Sequence, residues 1–358
     1  GGLAGGAPGA EAAAESLLAK TAAPLALAVA GERLASVASE KLEERLAAAD
    51  VVLLGEHHNS VADHELELAV VQALNARAVS AGRPLAVGLE MVQQRFQGVL
   101  DAYGRGELGD QGLFEATEWA SRWSWPYDLY LPIFRFCKEA GIRLVALNAD
   151  NEALGKVERG GLEELAPEDW KRFIPDRNGF AAMGKAPEFK AYLAKVVVPS
   201  YRMHERMGIL KQTVTGQVLD SPMPLRNFVG GRLLWDETMA GAAARAASGS
   251  AAGGAAGRGA QVCVLIGGDH VKFRYGVRER VERIARQRAS PLDVVSVMLN
   301  PTSVDTLAPP GSRRLSLSME VPIQDGGGAE AEGRAREPGA VPLADFVLVS
   351  QEVTAAWQ

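Results

Sequence analysis

Residues 49–58 read ADVVLLGEHH: four branched aliphatic side chains, Val51 to Leu54, then an abrupt stop at Gly55-Glu56-His57-His58. Unbroken apolarity over so short a run suits a strand buried on both faces of a parallel sheet; a half-exposed strand would alternate. Three further runs share the form: PLAVGLEM (84–91), IRLVALNAD (142–150) and QVCVLIGGDH (261–270). LDVVSVML (292–299) and ADFVLVS (344–350) read as two more strands. Between the first two runs, Ala62, Leu66, Ala69, Val70, Ala73 and Leu74 recur at helical spacing, and Ser60 with Asp63 forms a capping-box pattern at the helix start. Alternating strand and helix predicts an α/β fold, a largely parallel central sheet flanked by helices. Residues 151–239, helical but broken by several prolines, are expected to form a helical cap.

The 358 residues carry 38 Lys plus Arg against 44 Asp plus Glu, a net charge of −6 that argues against a nucleic-acid partner. The longest apolar run, Ala22–Ala30, is far short of the ~20 residues a transmembrane helix needs. Cys137 and Cys263 lie in apolar runs and read as buried side chains, with no disulfide or Cys-based zinc spacing. Gly and Ala crowd three stretches, which offer little to bury and do not repay the entropy of ordering. We expect residues 1–30 to be a disordered tail, 244–260 a flexible linker insertion and 325–340 a disordered insertion within one α/β domain spanning 31–352. The first residue is Gly1, read as the start of a trimmed chain.

Each of the first four strands ends in polar groups: Glu56-His57-His58, Glu90, Asn148 with Asp150, and Asp269-His270. Parallel strands bring such ends to one edge, where ligands bind in open α/β sheets. Four of the five histidines, His57, His58, His64 and His270, fall at or just after two of these strands. With Asp269 they form a candidate ligand set for a divalent Mn, Co or Zn ion, and Glu56 and Glu90 are candidate general bases. His64 falls in the first turn of its helix, where the dipole disfavours imidazolium. Two G-x-x-H loops, Gly55–His58 and Gly267–His270, pair the first and fourth strands. There is no G-x-S-x-G elbow and no Walker A loop, and no G-x-G-x-x-G follows a strand.

Trp119, Trp123, Trp125, Tyr127 and Tyr130 cluster within twelve positions and read as an anchor of helices onto the sheet. The segment SYRMHERMGI (200–209) sets Tyr201, His204 and Met207 in a helical pattern. These are the side-chain types that hold haem iron, so all three are candidate cofactor-binding residues. An amphipathic lid helix is the alternative reading.

GEHHNSVADH, GLEMVQQRFQGVLDAY, the W-x-W-P-Y-x-x-Y-x-P-I stretch, GIRLVALNAD, LLWDETMA and IGGDHVKFRYGVRERV together resemble the ChaN-like haem-binding uptake family. That family is grouped with the Tiki and TraB proteins and, more distantly, the erythromycin esterases. The resemblance implies two G-x-x-H loops and two glutamates facing one cleft. From Tiki-type relatives it implies a metal-dependent peptidase site on Glu56, His58, Glu90 and His270. From the ChaN branch it implies haem bound by an iron-regulated lipoprotein through an axial tyrosine, for which Tyr201 is the candidate. The chain departs from the pattern at Gly231-Arg232, where Ala-Gln is expected, and at Asp269, where a smaller or amide residue is usual. Arg232 and Asp269 are expected to form an ion pair across the site. No lipobox cysteine is present.

Haem or tetrapyrrole binding, at the edge of the sheet and under the cap, in an apolar pocket or a homodimer face, is therefore the leading expectation. The alternative is a metal-dependent hydrolase with a peptide substrate; a metal-free esterase and a vestigial site remain beside it. The Gly/Ala-rich stretches and missing lipobox point to a chloroplast member.

Overall fold

A computed structural model describes residues 16–249, 259–309, 311–312, 314–321 and 339–353. Ten strands occur among them: β1 (Leu25–Ala30), β2 (Arg33–Ser36), β3 (Val51–Glu56), β4 (Leu85–Gln93), β5 (Arg143–Asn148), β6 (Gln261–Gly267), β7 (Val294–Leu299), β8 (Ser318–Val321), β9 (Gly339–Pro342) and β10 (Phe346–Val349). Eight make one sheet in the order β2-β1-β10-β7-β3-β6-β4-β5, and β8 and β9 form a separate antiparallel pair. From β10 to β5 every pairing is parallel; β1 and β2 add an antiparallel edge. The expected largely parallel sheet is present, and all six expected strands belong to it.

The parallel strands are buried along their length because both faces are covered. Along β3, Val52 and Leu54 join one core, packed under the Val61–Ala81 and Tyr127–Glu139 helices. Val51 and Leu53 face the other, under the Leu225–Ala247 and Val277–Gln287 helices. Chain direction matters for the site. After β3 the chain moves outward to β4 and β5, returns to insert β6 between β3 and β4, then crosses to β7 on the far side of β3. Such a reversal opens a crevice at the carboxyl ends of the strands.

Four boundaries need correction. The tail expected through residue 30 ends earlier: Leu17–Thr21 is a helix capped by Ser16, and Leu25–Ala30 is β1, paired with β10. The linker expected from residue 244 begins later, because the Leu225–Ala247 helix continues through Ala244 and Ala247, both buried. Its remainder at 250–258, residues 1–15 and most of the 325–340 insertion lie outside the described residues, while Gly339 and Ala340 belong to β9. Within 151–239, short helices from Asn151 to Arg206 form the cap. Leu225–Ala247 instead packs against the sheet, its Met239, Ala240 and Ala243 in the core beneath β6. Among the described residues no helix is long and apolar enough to cross a membrane.

Candidate functional site

Three strands supply the floor of the site. Glu56 ends β3, Glu90 lies in β4, and β6 passes at Gly267 into the single turn Gly268–His270. Alternation along β3 turns Glu56 to the face of Val52 and Leu54, under the Val61–Ala81 and Tyr127–Glu139 helices. There Oε1 of Glu56 accepts from Tyr130 Oη at 2.7 Å and from His58 Nδ1 at 2.6 Å. Its other oxygen, Oε2, lies 3.3 Å from Nδ1 of His64, which also bonds Glu67 Oε2 at 3.0 Å. Glu56, His64 and Glu67 are all buried. Burial, compounded by the neighbouring Glu56 charge, pushes the Glu67 carboxyl well above the usual carboxylate range.

Glu90 serves the opposite face. Its Oε2 accepts the Gly267 amide at 2.5 Å, and its Oε1 stands 3.2 Å from His270 Nε2. His270 Nδ1 in turn bonds Asp236, contributed by the Leu225–Ala247 helix. Burial alone would raise the Glu90 carboxyl; the His270 charge and hydrogen bond, with His58 and the Gly267 amide, reverse this and hold it at about 2. Burial and Arg232 oppose a charge on His270, yet Glu90 and Asp236 outweigh them and its pKa is raised. Nδ1 is hydrogen-bonded to one carboxylate and Nε2 stands at ion-pair distance from another, an arrangement that does not favour the expected role of His270 as a metal ligand.

His57 is held in a similar way. Its Nδ1 lies 2.8 Å from Asp63 and its Nε2 3.1 Å from Asp305. These two hydrogen bonds, Asp305 first, raise its pKa to about 10 against the cost of burial. A ring protonated at both nitrogens has no lone pair for a metal. Ser60 caps the helix as expected, accepting from the Asp63 amide, and Asp63 reaches back to His57. Asp269 pairs with Lys272 at 2.5 Å. The expected Arg232–Asp269 side-chain pair is replaced: Arg232 bonds the Asp269 backbone carbonyl and the Asp236 carboxylate.

Two glycines hold these groups close. A Cβ on Gly55 would meet Met298 Sδ at 2.9 Å and Gly268 Cα at 3.2 Å, and one on Gly267 would meet His58 Nε2 at 2.8 Å. The close approach at these glycines is between the two G-x-x-H loops themselves. His58 also packs between Trp123 and Trp125, with ring centroids 4.9 and 5.7 Å away. Trp119, Tyr130 and Phe134 are buried in the core, the anchoring role expected of the aromatic cluster.

Above this floor lies a cleft of about 560 Å³. Glu56, His58, Glu90 and His270 line its base; Met203, His204, Met207, Ile209, Met223 and Phe228 line its cap side. A family model described as haem-binding uptake, Tiki superfamily, ChaN matches residues 42–281. The chain belongs to this family.

The solved structure of ChaN of Campylobacter jejuni, described as binding haem cofacially, has the same fold: TM-score 0.54 at 15% identity, covering 92% of this chain and 97% of that one. An Arabidopsis thaliana protein, RETICULATA-RELATED 5, chloroplastic, is 24% identical over 169 residues, a match spanning 45% of this chain and 22% of that relative. Erythromycin esterase EreC in its open conformation gives a TM-score of 0.39 at 14% identity over 87% of this chain, too slight a likeness to argue from.

In this ChaN-family chain the three cap residues expected to hold a cofactor part company. Tyr201 donates its hydroxyl to the Met223 carbonyl at 3.0 Å and is not among the cleft-lining residues, so the expected axial tyrosine is not presented there. His204 and Met207 do line the cleft. His204 Nδ1 donates to Ser200 O at 2.8 Å, one turn back, which places its proton on Nδ1 and leaves Nε2 with a lone pair. The sequence reading did not single out Glu67, Asp236, Asp305, Tyr130 as a partner of Glu56, or Glu158. Glu158 lines the cleft, and burial, offset in part by the Val214 amide, raises its carboxyl to about 7.

Proposed function

We propose that this ChaN-family protein binds haem or a related tetrapyrrole in the cleft at the carboxyl edge of the sheet, beneath the cap. Nε2 of His204 would supply a nitrogen ligand to the iron, with Met207 on the same wall of the cleft. One observation carries the reading: a histidine with an uncommitted ring nitrogen stands on the wall of an apolar, methionine-rich cleft. The cleft volume of about 560 Å³ falls within the roughly 300–1,000 Å³ of small-molecule sites. Histidine is a common axial ligand of haem iron, and a carbonyl bonded to the far nitrogen orients the ring and raises its basicity. Met203, Met207, Met223 and Phe228 supply adaptable apolar surface for a flat macrocycle.

The hydrolase alternative finds less support. A divalent ion bridging His58 and His270 needs a free nitrogen on each; Nδ1 of His270 is hydrogen-bonded to Asp236, and Nε2 faces Glu90 at ion-pair distance. Glu90, held at about 2, is a weak general base near neutral pH. A chloroplast location is part of the proposal, supported by the chloroplastic Arabidopsis relative.

Titrating the purified protein with haemin tests the reading. A saturable Soret change with a defined end point is expected; a linear, unsaturable change would overturn it.

A further inference from the structure

We propose a second, inner ligand site: a divalent first-row cation, of the Mn²⁺ or Zn²⁺ type, held by Glu56, His64 and Glu67. It lies on the β3 face opposite Glu90 and His270, and it does not depend on the haem reading.

Four observations converge on this point. Ligand atoms of the three residues lie within 4.8 Å of one another, and all three side chains are buried. Oε2 of Glu56 and Oε1 of Glu67 are buried oxygens with no hydrogen-bond partner. An orphaned carboxylate oxygen away from water is costly, and two side by side are costlier still unless a positive group meets them. The ion-pair partners of the two carboxylates among the described residues are histidines: His58 and His64 for Glu56, His64 for Glu67. No guanidinium or ammonium supplies the neutralising charge in those pairs.

The tautomer of His64 completes the donor set. Its Nε2 lies 3.2 Å from the His58 backbone carbonyl, which only accepts, so Nε2 carries the proton. Nδ1 is then the nitrogen facing Glu67 Oε2 at 3.0 Å and Glu56 Oε2 at 3.3 Å. The ring nitrogen and the two carboxyl groups thus direct their ligand atoms at one buried point. Two carboxylates and one imidazole form an oxygen-rich, borderline set that suits Mn²⁺ or Zn²⁺. The surroundings are those of a metal site's outer layer. Tyr130 Oη and His58 Nδ1 occupy Oε1 of Glu56 and so leave Oε2 for the ion, and the His58 carbonyl orients His64. Glu56 also lines the cleft, so the inner point lies directly behind its floor.

Haem-free full-length protein loaded with Co²⁺ or Mn²⁺ and then desalted tests the site. The wild-type protein is expected to retain one metal ion per chain, and His270→Ala, altering the outer cluster only, to retain it as well. Glu67→Gln is expected to weaken binding by at least about 100-fold, more than the loss of an outer partner alone. X-ray absorption of the Co²⁺-loaded wild-type protein needs no variant to fold and should show one imidazole per metal with oxygen ligands. Two imidazoles per metal would place the ion at His58 and His270 and overturn the proposal. Failure to retain metal would overturn it too, a proton shared between His64 and Glu67 then neutralising the pocket. Neither result bears on the haemin titration.

Discussion

Oε1 of Glu90 stands 3.2 Å from Nε2 of His270, a buried ion pair that joins one strand to the loop leaving its neighbour. Asp236 bonds the other nitrogen of the ring, so the imidazolium is held from both sides. Glu90→Gln removes one charge and leaves His270 buried with a weaker partner. A loss of stability of about 3–5 kcal/mol is expected in urea denaturation. The pH dependence follows. A carboxyl lowered to about 2 when folded contributes stability that is present above its ordinary value of 4.5 and lost as pH falls toward 2. The wild-type protein should lose that contribution across the window, and the variant should have none to lose.

His57 gives the opposite sign. Asp305 and Asp63 raise its pKa to about 10, so its contribution is full below pH 6.5 and lost as pH rises through about 10. NMR of the His57 ring should show an inflection near 10. An inflection near the ordinary histidine value would mean that the Asp63–His57–Asp305 clamp does not form in solution.

Gly267 has a backbone conformation open to any residue, with φ −57°, yet a Cβ there would lie 2.8 Å from His58 Nε2. Gly267→Ala is therefore expected to displace the His58 ring from Trp123 and Trp125 and to cost about 1–3 kcal/mol. Tryptophan fluorescence and thermal unfolding report both effects. Unchanged values would mean that the two G-x-x-H loops are not tightly packed.

The legible part of this molecule was its parallel core. Val51–Leu54 and Val262–Ile266 are buried on both faces, and nothing but such burial explains six strands without alternation. β1 was missed because LALAVA is alanine-rich and only partly buried, and its strand character comes from antiparallel pairing with Phe346–Val349 at the far end of the chain. The strand-end logic expected Glu56, His58, Glu90 and His270 at one edge, and all four line one cleft. It did not show which nitrogens were free. Asp305 and Asp236 capture His57 and His270 across large sequence separations, and no local pattern announces such contacts. Glu67 was within reach: three residues after His64, it had to share a helix face with it. Tyr201 was placed on the same helix as His204, but its hydroxyl reaches the Met223 carbonyl, a partner beyond that helix.

The cap separates two candidates that the sequence could not. Tyr201→Phe removes only the hydrogen bond to Met223, and about 1 kcal/mol of stability is the expected loss. The spectrum of the haemin complex should be unaffected. A changed Soret band would restore Tyr201 as the axial ligand.

The proposed function rests on ligation of haem iron by His204 Nε2. Magnetic circular dichroism of the haemin complex, recorded for the wild-type protein and for His204→Ala, tests it most directly. A nitrogen-ligated signature is expected in the wild-type protein, lost in His204→Ala and restored when free imidazole is added. A His204→Ala complex with the wild-type spectrum and affinity would contradict it.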